Sequence, residues 1–232
     1  MYEMKSRVRF SEVDSSGSLS ITSLIDYFQD VATFHADGTS SSLYENEKHN
    51  LGWMIFSWDI KIDKRPKLGD DITIQTMSVG YKGLYAFRDY ILKSSEGVCA
   101  TAHSTWSIID RTHMLPKKLT DEIMGEYGID EPLPGEWSDR KLKEPAEREK
   151  AFSVDIKKYH LDTNGHVNNQ YYVAFALAAI DDPTSVKRVR VSYKRQLVFG
   201  DEVNVCIGYA GESKCVTLEK TDGTICAVVY LD

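Results

Sequence analysis

An internal duplication is the feature of this 232-residue sequence that most restricts its fold. Residues 13–20 (VDSSGSLS) match residues 161–168 (LDTNGHVN), with an aspartate and a glycine at equivalent places 148 residues apart (162 minus 14). Two further pairs of turn-like segments recur in the same order: 68–72 (LGDDI) with 199–203 (FGDEV), and 96–97 (EG) with 222–223 (DG). Gly-Asp pairs are common in turns, but three matches in register favour a duplication. The chain should therefore contain two similar units.

Helical patterns follow the turn in each copy. The apolar residues from Ile21 to Ala32 recur at i, i+3, i+4 and i+7, which predicts an amphipathic helix. Residues 171–180 (YYVAFALAAI) contain no charge, which predicts a helix buried on nearly every side. The offset between the copies falls from 148 to 131 residues (200 minus 69), so the first copy carries 17 additional residues within 30–58 (148 minus 131). We predict that this insertion forms a lid or a pocket wall.

The later segments of each copy have the pattern of strands. Alternating apolar residues predict half-buried antiparallel strands at two places near the C-terminus: Val203, Val205, Ile207 and Tyr209, then Ile225, Ala227, Val229 and Leu231. Residues 111–150 are rich in proline and charge, with one short helix predicted from 120 to about 127, and are predicted to be a linker. A long helix wrapped by a curved antiparallel sheet, used twice, is the arrangement called a double hotdog. We therefore predict an α+β fold of two tandem hotdog domains, 1–110 and 151–232, fused as a pseudo-dimer.

Composition excludes several classes of function. The hydrophobic fraction of 42% is sufficient for a core, and a net charge of −7 argues against general binding to nucleic acid or anionic membranes. Residues 1–10 show no targeting pattern, and charges interrupt every apolar stretch before it reaches the roughly 18 to 20 residues that span a bilayer. Four cysteines without CxxC spacing lie in strand-like segments: Cys99, Cys206, Cys215 and Cys226. We expect a soluble cytoplasmic protein without disulfides or zinc.

The segment 160–169 (HLDTNGHVNN) gathers a carboxylate, imidazoles and amides directly before the second helix. In an extended approach to that helix, alternate residues point the same way, so Asp162, Asn164 and His166 would share one face. Asn168 or Asn169 would cap the helix, whose first-turn N–H groups favour negative charge. This arrangement could polarise a substrate carbonyl.

A purely structural interpretation of the same residues is also open. Asn164 and Gly165 could form a tight turn in which Asp162 makes an Asx turn, and that needs no chemistry. The first copy keeps the turn residues Asp14 and Gly17. It has serines at the positions of the other polar groups: Ser16, Ser18 and Ser20 in place of Asn164, His166 and Asn168. This asymmetry favours the hypothesis that one copy binds substrate while the other catalyses.

The motif carries a resemblance to a known family. The string LDTNGHVNNQYY (161–172) resembles the D-x-N-x-H-V-N-N-x-x-Y signature of the acyl-acyl carrier protein (acyl-ACP) thioesterases, which end fatty acid synthesis in plastids and occur in many bacteria. The resemblance extends over essentially the whole chain, including VRFSEVD at 8–14. It implies that Asp162, Asn164 and His166 hydrolyse the thioester of fatty acyl-ACP and release the free acid, without a cofactor or metal. The first domain would hold the acyl chain.

The sequence departs from the family pattern at one catalytic position. The family usually carries a glutamate in a Y-x-x-E element before a Gly-Asp turn, and this chain has Tyr193-Lys-Arg-Gln196 there. The neighbouring cysteine of plant members is Leu197, which excludes a Cys-His nucleophile at this place. We include Gln196 in the catalytic set, because an amide cannot accept a proton but can position a water. Activation of water by Asp162 and His166, and direct attack by Asp162, both remain open.

Acyl carrier protein is acidic, so a chain of net charge −7 should bind it through a local basic surface. Five basic residues around one strand of the second copy are the predicted binding residues: Lys187, Arg188, Arg190, Lys194 and Arg195. The alternative is a solvated strand face on which basic residues maintain solubility.

The sequence also leaves alternatives to acyl-ACP hydrolysis open. An acyl-CoA thioesterase on the same fold is the nearest alternative, and a non-catalytic acyl-binding regulator is a more distant one. A regulator would be expected to carry a DNA-binding helix-turn-helix, for which the chain has no spare residues. A metal site at His160, Asp162 and His166 is a further alternative, but the resemblance implies no metal.

Overall fold

The computed structural model describes residues 1–232, which form two compact units, Met1–Trp137 and Ser138–Asp232. Each unit combines a helix after a tight turn with an antiparallel sheet, so the predicted mixture of helix and antiparallel strand is confirmed. The division between the units falls inside residues 111–150.

The first unit contains a five-stranded antiparallel sheet, three helices and a short additional strand. The strands are β1 (Tyr2–Arg7), β2 (Leu51–Ile62), β3 (Asp71–Lys82), β4 (Tyr85–Ser94), β5 (Gly97–Asp110) and β6 (Leu115–Pro116). The helices are α1 (Ile21–Ala36), α2 (Leu43–Lys48) and α3 (Asp121–Gly125). The order across the sheet is β1-β3-β4-β5-β2, with β6 beside β5.

Helix α1 packs its apolar stripe on this sheet, as its periodicity predicted. It begins after Ser20, whose side chain accepts a hydrogen bond from the Ser23 N–H at 3.1 Å. Phe28, which is fully buried, contacts Trp58 on β2 and Tyr90 on β4, with ring centroids 6.1 and 5.1 Å apart. These aromatic contacts fix the helix across the strands.

The additional residues of the first copy lengthen α1 and form α2. The Ser41 carbonyl accepts hydrogen bonds from Trp53 Nε1 at 3.1 Å and from the buried Asn46 Nδ2 at 2.7 Å. The Ser41 hydroxyl lies 2.6 Å from the Tyr127 hydroxyl. Because every polar group in this set is paired within the unit, the insertion is a packed part of the first unit.

The second unit contains a five-stranded antiparallel sheet and one α-helix. Its elements are β7 (Arg148–Asp155), α4 (Asn169–Leu177), β8 (Arg188–Tyr193), β9 (Glu202–Ala210), β10 (Ser213–Lys220) and β11 (Ile225–Leu231), in the sheet order β8-β11-β10-β9-β7. The helix ends at Leu177, three residues before the predicted Ile180, and Ala178 is its C-cap. The chain then turns through Pro183, which cannot continue a helix from the preceding residues.

The prediction that β11 is half-buried is wrong, because both of its faces are covered. Ala227 and Val229 are fully buried on one face, and Cys226 and Val228 are fully buried on the other. The segment before β7 covers that second face. There the Tyr230 hydroxyl donates to the Lys143 carbonyl at 2.7 Å, and Leu142 packs against Val228 and its buried neighbours.

A similar cover lies on the sheet of the first unit. The buried Asp89 carboxylate accepts the Leu133 N–H at 2.8 Å and lies 2.6 Å from His103 Nδ1. The His103 ring in turn stacks on Trp137, with centroids 5.7 Å apart. The proline-rich residues that the sequence analysis assigned to a linker therefore contribute to the packing of each unit.

All four cysteines are buried in strands, as their pattern predicted, and all are free thiols. The longest helix, α1, has 16 residues, and no helix combines the length and the apolar character that a membrane crossing requires.

Candidate active site

The residues of the predicted motif form a tight turn before α4. The Asp162 N–H donates to the His166 carbonyl at 2.7 Å, and the Gly165 N–H donates to the Asp162 carbonyl at 3.1 Å. Gly165 has φ +77°, a conformation that glycine adopts without strain. The expectation that residues 162–166 run extended is therefore wrong. The reason is the Asx turn: the Asp162 side chain offers the local N–H groups a partner that an extended chain would not.

The turn nevertheless brings the three predicted catalytic residues together around the Asp162 carboxylate. Oδ1 accepts hydrogen bonds from the backbone N–H of Asn164 at 2.8 Å and of His166 at 3.2 Å. Oδ2 accepts from Asn164 Nδ2 at 3.2 Å. Three N–H donors thus fix the orientation of one carboxylate. His166 is half-buried and connects to Asp162 through its backbone.

His160 supports the turn from below. Its carbonyl accepts the Asn168 N–H at 2.9 Å, and its Nδ1 accepts the Lys157 N–H at 3.1 Å. The buried ring packs against Tyr171 and Phe175, with centroids 4.8 and 5.4 Å away. Burial, and then the charge of Lys157, lowers the pKa of His160 below its ordinary value, so the ring is neutral at pH 7. No group of three or more His, Cys, Asp or Glu residues is arranged to hold a metal ion.

The N-terminus of α4 follows directly from the turn. Asn168 is the N-cap, as predicted, and its side chain accepts the Gln170 N–H at 3.2 Å. Asn169 is the first helical residue. The positive end of the helix dipole therefore lies next to the Asp162 turn in the chain.

Gln196 is brought beside this turn by strand pairing. His166 forms an antiparallel bridge with Val198, and the Val167 N–H donates to the Leu197 carbonyl at 2.9 Å. This register places Gln196 opposite Asn168, on the face that also carries the His166 side chain. The amide that replaces the expected carboxylate therefore occupies a register position beside the candidate catalytic motif.

Two further tyrosines, the buried Tyr172 and the half-buried Tyr193, hold the two segments of the candidate site together. The Tyr172 hydroxyl on α4 accepts the Leu197 N–H at 2.9 Å, and the Tyr193 hydroxyl donates to the Asn169 carbonyl at 3.1 Å. Burial raises the pKa of both hydroxyls well above the ordinary value, so both remain protonated. The sequence carried a signal for both, because Tyr172 and Tyr193 are conserved letters of the two family motifs that contain the candidate catalytic residues.

The first unit contains the same turn with different side chains. The Asp14 N–H donates to the Ser18 carbonyl at 2.9 Å, and the Gly17 N–H donates to the Asp14 carbonyl at 2.9 Å. Ser18 forms an antiparallel bridge with Lys67, as His166 does with Val198. The offset of 131 residues (198 minus 67) then makes Arg65 the counterpart of Gln196.

Arg65 neutralises the aspartate of this first turn. Its Nη1 forms an ion pair with the Asp14 carboxylate, and it also donates to the Leu19 carbonyl at 3.3 Å. Burial acts to raise the pKa of Asp14, but the hydrogen bonds from Ser16 and Arg65 outweigh it and hold the pKa below its usual value. Applying the duplication offset to Gln196 would have found Arg65 from the sequence.

Two models of one known family match most of the chain. Residues 1–127 match the model of the acyl-ACP thioesterase N-terminal domain, and residues 143–226 match that of the C-terminal domain. The chain belongs to the acyl-ACP thioesterase family.

Individual relatives agree with this family assignment. The chain is 26% identical to an oleoyl-acyl carrier protein thioesterase of Arabidopsis thaliana over 96% of its own length and 68% of the relative. It covers 61% of a second Arabidopsis oleoyl-ACP thioesterase, at 27% identity. The structure is similar to that of an acyl-ACP thioesterase from Bacteroides thetaiotaomicron, with a TM-score of 0.88 and 22% identity over 99% of this chain and 96% of the other. This last likeness shows the fold.

The predicted carrier-binding residues of this thioesterase differ in their ion pairing and in their exposure to solvent. Arg190 pairs with Asp232 at 2.6 Å and lies over the Tyr230 ring, and Lys194 pairs with Glu144. Two further members, Lys187 and Arg195, are exposed, and Arg188 is half-buried on β8. The charges of Arg190 and Lys194 are therefore largely balanced within the second unit.

Proposed function

We propose that this chain hydrolyses the thioester of fatty acyl-ACP, with the turn of Asp162, Asn164 and His166 as its active site. The observation that carries the proposal is the contrast between the two turns. The Asp162 carboxylate is held by three N–H donors and has the neutral Gln196 at the register position where the first unit has Arg65. Asp14, in the same backbone turn, is paired with that arginine. A carboxylate that is oriented but not neutralised is suited to catalysis.

The reaction follows from the groups at the turn. Asn164 and the N-terminal amides of α4 stabilise negative charge on the thioester oxygen as the carbonyl is attacked. Asp162 and His166 take a proton from the attacking water, or Asp162 itself attacks and the resulting anhydride is hydrolysed. In both routes the carbon–sulfur bond breaks, the thiol of the carrier leaves with a proton, and water supplies the hydroxyl of the free fatty acid.

Gln196 and the two tyrosines have supporting roles in this mechanism. The Gln196 amide can both donate to and accept from a water, so it orients the water without taking its proton. Tyr172 holds the segment that carries Gln196, and Tyr193 holds the first residue of α4. These are positioning roles, because neither tyrosine hydroxyl is required to contact the substrate.

In this proposal, two copies of a hotdog fold, fused in one chain by duplication, have different roles. Residues 151–232 form the catalytic copy, residues 1–110 hold the acyl chain, and residues 111–150 connect them. The equivalent turn hydrogen bonds and the equivalent glycine conformations, φ +73° at Gly17 and +77° at Gly165, support a common origin of the two copies. The four free, buried cysteines are consistent with a reducing cytoplasm.

A hydrolysis assay across acyl-ACP chain lengths tests the proposed function. The wild-type chain should release free fatty acid from acyl-ACP, and Asp162→Asn should reduce kcat by about 10²- to 10⁴-fold. The substituted amide can still accept the turn N–H bonds, so the melting temperature should change little. Turnover close to the wild-type value in the folded variant would remove Asp162 from the mechanism, and faster turnover of the matched acyl-CoA would identify CoA esters as the substrate.

A further inference from the structure

Exposed apolar side chains lie on both chain segments that border the candidate active site. Tyr159 directly precedes His160 and is 71% exposed. Phe199 follows Val198, the residue that pairs with His166, and the two are 56% and 39% exposed. We call Lys158, Tyr159, Val198 and Phe199 the Lys158–Phe199 corner. Contiguous exposed apolar groups next to an active site are typical of a surface that another molecule covers.

The corner carries a basic rim. Lys158 Nζ lies 5.7 Å from the centre of the Phe199 ring, so the charge and the apolar group belong to one surface. Lys157 and Arg195 are exposed beside it in the chain. Lys157 pairs with Asp155 at 3.1 Å, but both side chains are more than half exposed, so solvent screens this pair. In contrast to Arg190 and Lys194, these charges are available to a partner.

We propose that acyl carrier protein docks on the Lys158–Phe199 corner, a proposal that rests on the function proposed above. An acidic protein is the occupant because the chain is acidic overall, at −7, and presents this local positive rim on an apolar surface. The position agrees with the chemistry, since a carrier must bind where its thioester can reach the Asp162 turn. Phe199 and Tyr159 supply the apolar contacts, and Lys157, Lys158 and Arg195 pair with carboxylates of the carrier.

The first unit supplies a matched control surface. Phe10 is 82% exposed in the turn equivalent to the one that carries Lys158, with Arg9 and Lys67 as basic neighbours. This second corner has similar chemistry but borders the turn in which Arg65 neutralises Asp14. A carrier bound there would present its thioester to a turn without an imidazole.

The test compares Phe199→Ser and Lys158→Glu with the control Phe10→Ser, each in the full chain. We expect either corner substitution to lower kcat/KM for acyl-ACP by about 10-fold, as removal of a central contact does. The loss with a small acyl N-acetylcysteamine thioester should be at least about five-fold smaller, because that substrate has no protein surface to dock. Lys158→Glu should also weaken the dependence of kcat/KM on salt. Phe10→Ser should behave as the wild type.

The outcomes separate the docking proposal from the proposed function. Equal losses on the two substrates, no loss, or a loss as large in Phe10→Ser would overturn the corner as the docking surface. The corner would also be overturned if Lys187→Glu, directly before β8, lost activity on acyl-ACP alone while Lys158→Glu did not. Wild-type turnover of the small thioester without turnover of acyl-ACP would instead overturn the proposed function, and the docking surface with it. Lys158 is exposed, so its variant keeps the test informative even if Phe199→Ser proves unstable.

Discussion

The turns at Asp14 and Asp162 have the same backbone hydrogen bonds and opposite electrostatic surroundings. In the first unit, Arg65 lies at the register position opposite the helix N-cap and pairs with the aspartate. In the second unit, Gln196 occupies that position and brings no charge. The turn is thus an element of the fold, and the chemistry depends on which side chain the neighbouring strand presents to it.

The supports of the two turns differ as well. The segment that carries Gln196 is tied to α4 through the Tyr172 hydroxyl, and the start of α4 is tied to β8 through the Tyr193 hydroxyl. The equivalent residues of the first unit, Leu24 and Ile62, are apolar and buried, and cannot make such bonds. The second unit therefore positions its turn with hydrogen bonds, whereas the first unit relies on apolar packing and one ion pair.

The largest expected effect comes from removing the His166 imidazole, which the second turn has and the first turn lacks. His166→Ala should lower kcat for acyl-ACP by about 10²- to 10⁴-fold, because the turn then lacks its proton acceptor. The matched substitution Ser18→Ala, at the equivalent place in the first turn, should leave kcat at the wild-type level. Steady-state kinetics of both purified variants would check this. Comparable losses in the two would show that the catalytic unit has been chosen wrongly.

The next largest effect is expected when the arginine of the first turn is introduced at the equivalent position of the second. Gln196→Arg should lower kcat by about 10²-fold, because the new guanidinium can pair with Asp162 as Arg65 pairs with Asp14. Gln196→Ala should cost much less, and Gln196→Glu should retain or increase activity, since a carboxylate is usual at this position in the family. Kinetics of the three variants measure the contribution of charge. Full activity in Gln196→Arg would mean that neutralisation is not what distinguishes the turns.

A smaller effect is expected from the tyrosine supports. Tyr172→Phe leaves the N–H of the buried Leu197 without its partner, which should cost about 1–3 kcal/mol of stability. Because Gln196 then loses its fixed position, kcat should fall by about 10-fold with a smaller change in KM. Tyr27→Phe is the control, since its hydroxyl bonds Glu12 in the first unit. If both variants lose stability and neither loses kcat, the role of Tyr172 is structural only.

The smallest effect concerns the stability of the first turn. Arg65→Gln should destabilise the folded chain by about 1–2 kcal/mol at pH 7, because the part-buried Asp14 loses its charged partner. The folded-state pKa of Asp14 lies below its ordinary value, so this stabilisation is complete above the unfolded pKa of about 4 and is lost as the pH falls through the folded pKa.

Urea unfolding of wild type and Arg65→Gln at pH 7, 5 and 3 measures that difference. The two unfolding midpoints should differ at pH 7 and 5 and approach each other at pH 3. A difference that does not change with pH would assign the effect to lost packing of the Arg65 side chain. The variant should not gain a second active site, because Ser18 offers no imidazole.

The sequence by itself determined the features that depend on local chemistry. The two helices, the N-cap Asn168 and the strand positions of the cysteines are predicted by turn residues and by the spacing of apolar side chains. The candidate catalytic residues are predicted by the resemblance of residues 161–172 to the family motif. Each of these patterns involves only a few neighbouring residues, so it can be recognised in the sequence without knowledge of the fold. The same local chemistry also explains the wrong expectation at 162–166, since an aspartate before Asn-Gly favours an Asx turn over an extended strand.

Only the tertiary structure decided which distant side chains face the two aspartates. Arg65 reaches Asp14, and Gln196 takes the equivalent register position beside the Asp162 turn, through β-bridges between segments far apart in the chain. The register of such pairings is set by the packing of the whole sheet. The burial of β11 on both faces has the same origin. Whether a strand face is exposed to solvent depends on where distant residues such as Leu142 and Lys143 pack. The residue pattern within the strand does not contain that information.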